Sequence, residues 1–519
     1  MDKSIAAGRS GPARFLSHRL HGGLIACGLA YLLMIAALAL VWTLPLLGWL
    51  PDATWHDQQR IGQAIGMVLA AGAATLVFGP GRFRPSPVLD PGRRRLLALV
   101  IAGGIVSACL ARQPLWGFVE VALGVGSLGI AWLVATMRRM FGATVDRVLL
   151  AVLFFTCTGL ITRFLAAYLS AIIGNEGVLN AWLLVDGFSN PRFFGQFLTL
   201  GLPLLLVPLL TSGELRRHSV VAGVLAVLAW TVAITSGTRG TWLALALAAV
   251  VLAYTGPTGR RWAMWQISAA AAGLVLFWIA MTVVPDALEM RADQHAAARL
   301  TTSLSQRDII WRQAIEVAYE NPLLGIGPMQ LADVPNGVAV HPHQAWLQWA
   351  AEWGVPSALL VTWLVVCAAW SVASAARARG ESTQEQDVIR LCLMGSIAGG
   401  LTQAMVDGVL VMPYSQIWVA LLGGWLLGLQ PQAAPLGPVA AASRSVPRAA
   451  LSLWLAAFAA SAAVLAYVVV RDYSHLAERE QAFARSIGGH FQPRFWAQGV
   501  IYPGRAESSP SGLVRSASH

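Results

Sequence analysis

Charged side chains are scarce in this chain. Asp, Glu, Lys and Arg make up 12% of its 519 residues, whereas hydrophobic residues make up 56%. An ordinary globular domain has about 25% charged residues, so the composition excludes a conventional water-soluble fold. The apolar residues come in runs of about 20, the length that a helix needs to cross a bilayer. The sequence therefore predicts an all-α polytopic membrane protein.

Cysteine is also rare, and its placement excludes two kinds of site. The five cysteines lie inside apolar runs without paired spacing, so neither a disulfide framework nor a zinc knuckle is expected. Small buried packing residues are the better interpretation. No internal repeat is visible. The Gly-X-Gly of the LLGIGP stretch follows no predicted strand, so it is not a nucleotide-binding signature.

The apolar runs predict about 12–13 transmembrane helices. Their centres lie near residues 32, 70, 103, 125, 160, 201, 227, 248, 273, 365, 400, 422 and 460. The predicted organisation is a cytoplasmic tail (1–21), helices one to nine (22–284), a long loop (285–343), helices ten to thirteen (344–470) and a tail (471–519). We expect the polar end of this tail to be disordered.

Arginine is distributed unevenly between the two ends of these helices. Loops after even-numbered helices are basic, for example at 93–95 and 216–217, whereas most loops after odd-numbered helices carry one arginine or none near the membrane. The positive-inside rule then places the N-terminus in the cytoplasm, and the 285–343 loop and the C-terminal tail outside. The same rule explains much of the net charge of +11, so no nucleic-acid partner is expected.

The long loop contains an amphipathic segment. In SQRDIIWRQAIEVAYENP, apolar residues such as Ile310 and Ala314 recur at helical spacing. We expect a helix with Ser305 as its candidate N-cap and with its end at the Asn321–Pro322 break.

A polar and aromatic stretch, HPHQAWLQWAAEWG (341–354), follows the loop and leads into helix ten. Histidine titrates near neutral pH and can take a proton from a hydroxyl, so His343, with His341 beside it, is a candidate to activate an acceptor alcohol. Gln344 would hold the imidazole, and Glu352 is a further supporting candidate. The alternative is that the histidines anchor a helix start at the membrane surface, as the neighbouring tryptophans do.

Arginines on the same face are candidates to bind an anion. Arg239 lies in SGTRG, a short external turn in which glycines would let a phosphate approach the backbone. The alternative there is a snorkelling surface arginine. Arg192 and Gln196 lie one helical turn apart in NPRFFGQF, where helix six opens on that face.

Three further candidates have structural alternatives. Arg163 is an ionisable residue inside helix five, which makes it either a functional residue or one half of a structural pair. Asp407, in MVDGVLVMPYSQ, lies near the outer end of a helix and is either a site residue or a loop residue. Arg312 is the candidate from the long loop, which also contains Arg307.

Several arginines and a histidine pair on one external, membrane-level surface suit an anionic lipid that carries a pyrophosphate. The pyrophosphate would be the leaving group, and the arginines would offset its developing charge. HPH is a weak pair of metal ligands, and no acidic DxD-type motif accompanies it. We therefore expect a reaction without a metal or another cofactor.

The stretches SGTRGTW, NPLLGIGP and HPHQAWLQWAAEWG resemble the O-antigen ligase superfamily of bacterial inner membranes, over about residues 180–430. The resemblance implies a multi-pass glycosyltransferase that moves a preassembled glycan from undecaprenyl pyrophosphate to an acceptor hydroxyl on the periplasmic side. The family pattern of His, then Asn, Ser or Gln, nine residues and Gly fits His343, Gln344 and Gly354. It implies that His343 is catalytic and that Arg239 binds the pyrophosphate, with help from Arg192 and a loop arginine.

The resemblance leaves the acceptor open. Serine or threonine of a protein is slightly favoured, because the tail RDYSHLAEREQAF resembles the external C-terminal piece of protein O-oligosaccharyltransferases. Gln344 is a departure, since that branch more often has Asn. The alternative is transfer to the lipid A core in lipopolysaccharide biosynthesis. An O-antigen polymerase would not be expected to show the histidine pattern, and a polyprenyl-lipid transporter would predict repeat-related halves with broken helices.

Overall fold

The structure, a computed structural model, describes residues 12–79, 83–174, 178–292, 306–334, 338–430, 446–487 and 492–501. Its helices are α1 (Pro12–Thr43), α2 (Trp55–Phe78), α3 (Pro91–Leu110), α4 (Pro114–Phe141), α5 (Ala143–Ile173), α6 (Ala181–Leu184), α7 (Pro191–Leu205), α8 (Val207–Leu210), α9 (Ser219–Thr235), α10 (Arg239–Ala253), α11 (Pro257–Trp278), α12 (Val284–Ala287), α13 (Arg307–Glu320), α14 (Ala345–Trp353), α15 (Val355–Arg379), α16 (Glu385–Ala404), α17 (Pro413–Gly428), α18 (Arg448–Tyr473) and α19 (Leu476–Ile487). A π-helical turn (Ile279–Val283), two 3-10 turns (Glu214–His218 and Gln330–Asp333) and a parallel pair of two-residue strands (Val178–Leu179 with Arg291–Ala292) complete these elements.

Each of the predicted helix centres falls inside one of these helices. In the described residues, eight helices are long and apolar enough to cross a membrane, and two shorter stretches, Gly28–Thr43 and α10, are similarly apolar. The remaining centres fall in α3, α16 and α17. α3 opens with three consecutive arginines and α17 has 16 residues. α16 has charged residues in its first turn and is largely buried among other helices, so it needs no lipid-facing apolar surface. The predicted class, an all-α polytopic membrane protein, is confirmed.

Helix starts follow local capping chemistry. The side chain of Asn190 accepts a hydrogen bond from the backbone N–H of Arg192 at 3.0 Å, and proline fills the next position, at the start of α7. Thr54 caps α2 in the same way through the N–H of Asp57 at 3.2 Å. Such caps satisfy backbone donors that would otherwise have no partner, and proline is tolerated there because its missing N–H is not needed. They fix where each helix begins, and with it the residues that face the loop.

The bundle has two ends. The loop face is the end at which α2, α4, α7, α10, α15 and α17 begin and at which the described parts of the 285–343 loop lie. Near the opposite end, Arg138 Nε lies 2.6 Å from Asp146 Oδ1, and Trp425 Nε1 donates to the same oxygen at 2.6 Å. These three buried side chains join α4, α5 and α17. Removing one partner of such a buried pair leaves an uncompensated charge, so the contact fixes how the helices meet.

The expected amphipathic helix of the loop is α13. It ends at Glu320, directly before the Asn321–Pro322 break. The candidate cap Ser305 lies outside the described residues, and Gln306, with φ 62°, precedes the helix. The 341–354 stretch does not run straight into helix ten as expected. It forms the separate nine-residue helix α14, and Gly354, with φ 84°, divides this helix from α15.

The C-terminal tail is partly built into the fold. Residues 502–519, which include the stretch expected to be disordered, lie outside the described residues. Residues 492–501, named here the C-terminal segment, return to the loop face. Arg494, Phe495, Trp496 and Ala497 are each only 1% exposed.

The contact between α4 and α17 generates a prediction on stability. A Cβ atom at Gly424 would lie 2.3 Å from the carbonyl oxygen of Ala131, so the two backbones are in direct contact. Gly424→Ala should destabilise the fold by about 1–3 kcal/mol, because backbone must move to admit the methyl group. Gly423→Ala is the matched control, since a Cβ there meets no atom within 4 Å. Thermal unfolding in detergent measures both variants, and equal melting temperatures would contradict the close contact.

Candidate functional site

The two histidines form a compact hairpin before α14. Their ring centres are 4.1 Å apart, and the backbone N–H of His343 donates to Nδ1 of His341 at 3.3 Å. His343 has φ 51°, a left-handed conformation that costs a residue with a side chain some strain. Between them, the carbonyl oxygen of Pro342 accepts from Trp311 Nε1 of α13 at 2.8 Å. The hairpin is therefore held by His341 and by the loop helix.

Helix α14 fixes the other side of the hairpin. The side-chain oxygen of Gln344 accepts from the backbone N–H of Leu347 and caps the helix. This oxygen therefore serves the helix start, whereas we expected Gln344 to hold the imidazole. At the far end, Trp353 packs so closely on Gly104 of α3 that a Cβ atom there would overlap the indole ring. His343 thus precedes a short helix that is anchored at both ends.

Asp407 is the carboxylate that the fold brings to His343. Its Oδ1 lies 3.9 Å from His343 Nδ1 and also accepts from the N–H of Gly408 at 2.8 Å. Its Oδ2 accepts from Gln403 Nε2 at 3.3 Å. The side chain is 8% exposed. Asp407 is thus a buried acid aimed at the imidazole, although the distance is longer than a hydrogen bond.

Arginines surround this pair. The charges that act on His343 are those of Asp407, Arg307 and Arg192. Those that act on Arg307 are Asp407, Arg192 and Arg239. The structure therefore brings the candidates Arg192 and Arg239 together with His343 and Asp407, and it adds Arg307 from the start of α13.

Close helix packing explains how Arg192 and Arg239 meet. A Cβ at Gly195 of α7 would lie 2.5 Å from Thr238 Oγ1, directly before α10. The carbonyl oxygen of Gly195 also accepts from Thr241 Oγ1 at 2.8 Å. The N-terminal turns of α7 and α10 therefore lie side by side. Gln196 is fully buried beneath them and its oxygen accepts from Ser415 Oγ at 3.0 Å, which makes it a link to α17.

Burial and charge set the protonation of the site. The pKa of His343 is lowered from 6.5 to about 4. Burial is the largest cause, Asp407 opposes it, and Arg307 and Arg192 add to it. Burial also lowers the pKa of His341 well below 6.5, and His343, Arg494 and His56 add to this effect. Both imidazoles are neutral at pH 7. The side chain of His343 keeps 25% exposure, so it remains reachable from outside.

Arg163 and Arg312 are not brought to this cluster. Arg163 donates to the carbonyl oxygens of Pro45 and Leu46 at 3.2 and 2.8 Å and pairs with Asp186, which ties α5 to the α1–α2 connection. These contacts fit the structural alternative for Arg163. Arg312 is exposed on α13, and five residues from Arg307 it points about 140° away around the helix axis.

Glu352 belongs to a network behind the histidines. It is fully buried, its Oε2 accepts from Arg494 Nη2 at 2.6 Å, and its Oε1 accepts from the N–H of Leu331 at 3.2 Å. Arg494 Nη2 also lies 3.4 Å from Glu120. Sequence analysis missed Arg494, since nothing in its spacing links it to α14. An arginine between aromatic residues, as in FQPRFW, was the available signal.

The arrangement can do two things chemically. A neutral imidazole that faces Asp407 on Nδ1 has Nε2 to accept a proton. The guanidinium groups of Arg192 and Arg307 near it, with Arg239 near those two arginines, can bind and stabilise an anion. These are the groups that a transfer reaction with an anionic leaving group needs.

The comparison with known proteins agrees with this chemistry. A search of curated proteins finds no match. Residues 224–362 match the family model described as O-antigen ligase. The match runs from α9 into α15 and includes Arg239, Arg307, His343 and Glu352, whereas Arg192 and Asp407 lie outside it. Residues 224–362 are therefore similar to O-antigen ligases, and this match supports a place for the chain in the O-antigen ligase superfamily, an O-antigen ligase-like family of glycosyltransferases in general.

Proposed function

We propose that the protein transfers a preassembled glycan from undecaprenyl pyrophosphate to an acceptor hydroxyl at the loop face of the membrane. The observation that carries this proposal is the convergence of three arginines, each within the first two residues of a helix, next to a neutral histidine. Arg192 is the second residue of α7, and Arg239 and Arg307 are the first residues of α10 and α13.

This placement of arginine is electrostatically unfavourable by itself. A helix N-terminus carries a partial positive charge, so acidic residues are stabilising there and basic residues are not. Helix N-termini and guanidinium groups both bind phosphate, and here they coincide. Asp407 supplies one negative charge in the cluster. A bound pyrophosphate would supply further negative charge and offset the repulsion among the arginines. The arrangement therefore favours binding of an anionic donor.

In the proposed reaction, the acceptor hydroxyl oxygen attacks the anomeric carbon of the donor sugar. The bond from that carbon to the pyrophosphate oxygen breaks, and the hydroxyl proton passes to Nε2 of His343. Asp407 steadies the imidazolium that forms, through Nδ1. A single displacement inverts the anomeric carbon.

The arginines take the role that a metal ion has in many reactions of pyrophosphates. Arg192, Arg239 and Arg307 would contact the pyrophosphate and stabilise its developing charge as it leaves. The polyprenyl tail would lie between helices in the membrane. The proposed reaction accordingly uses neither a metal nor another cofactor.

We favour serine or threonine of a protein as the acceptor over the lipid A core, on the resemblance of the tail after Arg471 to the protein-directed branch. Expression in cells that lack one acceptor or the other, followed by detection of the glycan on protein and on lipopolysaccharide, decides between them. Glycan on lipopolysaccharide alone would contradict the choice of protein as acceptor, whereas the proposed transfer reaction would stand.

The first prediction of this proposal concerns orientation. We propose that the protein spans the bacterial inner membrane with its loop face in the periplasm. Tyr319, at the end of α13, is 85% exposed, and Gln384, before α16 at the opposite end, is also exposed. In a cysteine-free background, a membrane-impermeant maleimide should label Tyr319→Cys in intact cells and Gln384→Cys only after lysis. The reverse pattern would place the site in the cytoplasm and refute the mechanism.

The second prediction tests the base. His343→Ala should reduce transfer by roughly 10²–10⁴-fold, the contribution of a general base, while donor binding persists. His341→Ala should have a smaller effect, because His341 acts through the backbone N–H of His343. A transfer assay with purified protein and a lipid-linked glycan measures both variants. Normal activity of the His343→Ala variant would contradict the role as base and favour the alternative, in which the hairpin only anchors a helix start at the membrane surface.

The third prediction concerns pH. A protonated imidazole cannot accept a proton, and a lowered pKa postpones protonation to lower pH. Since the pKa of His343 is lowered to about 4, kcat/KM should stay level from pH 7.5 to about 5.5 and fall with a midpoint below 6.5, the unperturbed value. The two pyrophosphate hydroxyls of the donor are strongly acidic, so its charge is constant over this range.

Variants of two arginines distinguish the effect of burial on the pKa of His343 from the effect of nearby charges. Arg307→Met removes a positive charge that lowers the pKa of His343, so the midpoint should move to higher pH. Arg312→Met is the matched control, because this exposed arginine points away from the site. Equal displacement in both variants, or a wild-type midpoint at 6.5 or above, would contradict the assignment of His343 as the base.

A further inference from the structure

The C-terminal segment is anchored at the loop face by contacts with widely separated helices. Trp496 Nε1 donates to Asp472 Oδ2 of α18 at 2.9 Å, and the N–H of Ala497 donates to Asp57 Oδ1 of α2 at 2.8 Å. Asp472 and Asp57 are both fully buried. These contacts hold the segment in place independently of the histidine hairpin.

Arg494 projects from this segment towards α14. It is 1% exposed, and its Nη2 lies 2.6 Å from Glu352 and 3.4 Å from Glu120. With the amide oxygen of Gln348 turned towards it, that oxygen accepts from both Nη atoms, at 2.7 and 3.0 Å. Gln348 and Glu352 are one turn apart on α14, so Arg494 holds one face of this helix.

Such a buried ion pair is poorly explained by stability alone. The cost of removing the two charges from water offsets much of their attraction. Well-packed apolar residues in the same place often stabilise a fold equally well. What the pair does provide is a fixed geometry, since neither charge can move without loss of its partner. A guanidinium between two carboxylates and an amide therefore fixes the position of α14 relative to α4.

The same segment contacts the hairpin directly. A Cβ atom at Gly499 would lie 2.9 Å from Val340 Cγ2, which places the segment against the residue before His341. Arg494 is also one of the charges that act on His341. His341 in turn accepts the hydrogen bond that holds His343 in its left-handed conformation. A continuous path thus runs from Arg494 to His343, through His341 on one side and through α14 on the other.

We propose that Arg494 is a positioning residue for His343, and that the C-terminal segment is a part of the transfer site supplied by the chain that follows α18 and α19. This inference rests on the proposed function for its kinetic consequence. Its structural consequence, the ordering of the hairpin and α14, does not depend on that function. The two can be measured separately.

The test uses full-length variants. In Arg494→Gln, kcat should fall by about 10²-fold, the loss expected when a reacting group shifts by about 1 Å, with little change in the KM for the donor. Arg494→Lys, which keeps the charge but not the planar fork, should recover part of this loss. Arg485→Gln is the matched control, because Arg485 is an exposed arginine on α19 of the same tail. It should behave as wild type.

Hydrogen–deuterium exchange supplies the readout that is independent of activity. In Arg494→Gln, backbone amides of residues 338–348 should exchange faster. The N–H groups of His343 and Leu347 donate to His341 and Gln344, and these acceptors are less firmly held once Arg494 no longer orders the hairpin and α14. Amides of α17 should be unchanged. Wild-type exchange across 338–348, or a wild-type kcat, would overturn the inference. Faster exchange in a protein whose wild type transfers no glycan would retain the inference and refute the proposed function.

A double variant keeps the inference testable if Arg494→Gln does not fold. Glu352→Gln with Arg494→Gln removes both charges of the fully buried 2.6 Å pair, so neither is left there as an uncompensated ion. Glu120, the other carboxylate near Arg494, keeps 15% exposure of its side chain. The double variant should fold and still have a low kcat with fast exchange at 338–348. Wild-type kcat in this double variant would show that the pair has no positioning role.

Discussion

The loop face depends on one buried guanidinium. Arg60 is 1% exposed, and its five N–H groups all donate hydrogen bonds. Its acceptors are Gln63 of its own helix, Gln416 and Val411 at the start of α17, and the backbone carbonyls of Arg494 and Phe495. A buried donor without a partner is costly, so none of these elements can move away without penalty. Arg60 thereby fixes both the turn that carries Asp407 and the segment that carries Arg494.

The sequence predicts some of this molecule well and some of it poorly, for physical reasons. Helix centres follow from apolar runs, because the bilayer imposes a length and an apolar surface on each span. His343, Arg239 and Arg192 follow from motifs that lie at helix starts. Arg307 was named only among the other loop arginines, because the direction that a side chain takes from α13 depends on how the helix docks. The C-terminal segment was missed altogether, since its ten residues have no periodicity and its order comes from tertiary contacts.

Two of the candidate site residues have structural partners in the fold. Arg163 and Gln344 have the chemistry of site residues, and each has a structural partner that sequence alone does not show: Asp186 for Arg163, and the start of α14 for Gln344. The polar residues at the start of α2, such as His56 and Asp57, are buried, but their place before an apolar run gives no sign of this in the sequence. In a membrane protein, polar residues at one end of the bundle serve either the reaction or the scaffold around it. Contacts, and not residue type, separate these two roles.

The position of the C-terminal segment along the chain has a consequence for biosynthesis. Arg494 and Glu352 are 142 residues apart. The ribosome completes the histidine hairpin long before it reaches Arg494, and α18 must insert before the segment can arrive at the loop face. On the positioning role inferred for Arg494, a chain that is still being translated has its histidine but not the residue that orders it. Full activity then begins only after α18 has inserted and the C-terminal segment has reached the loop face.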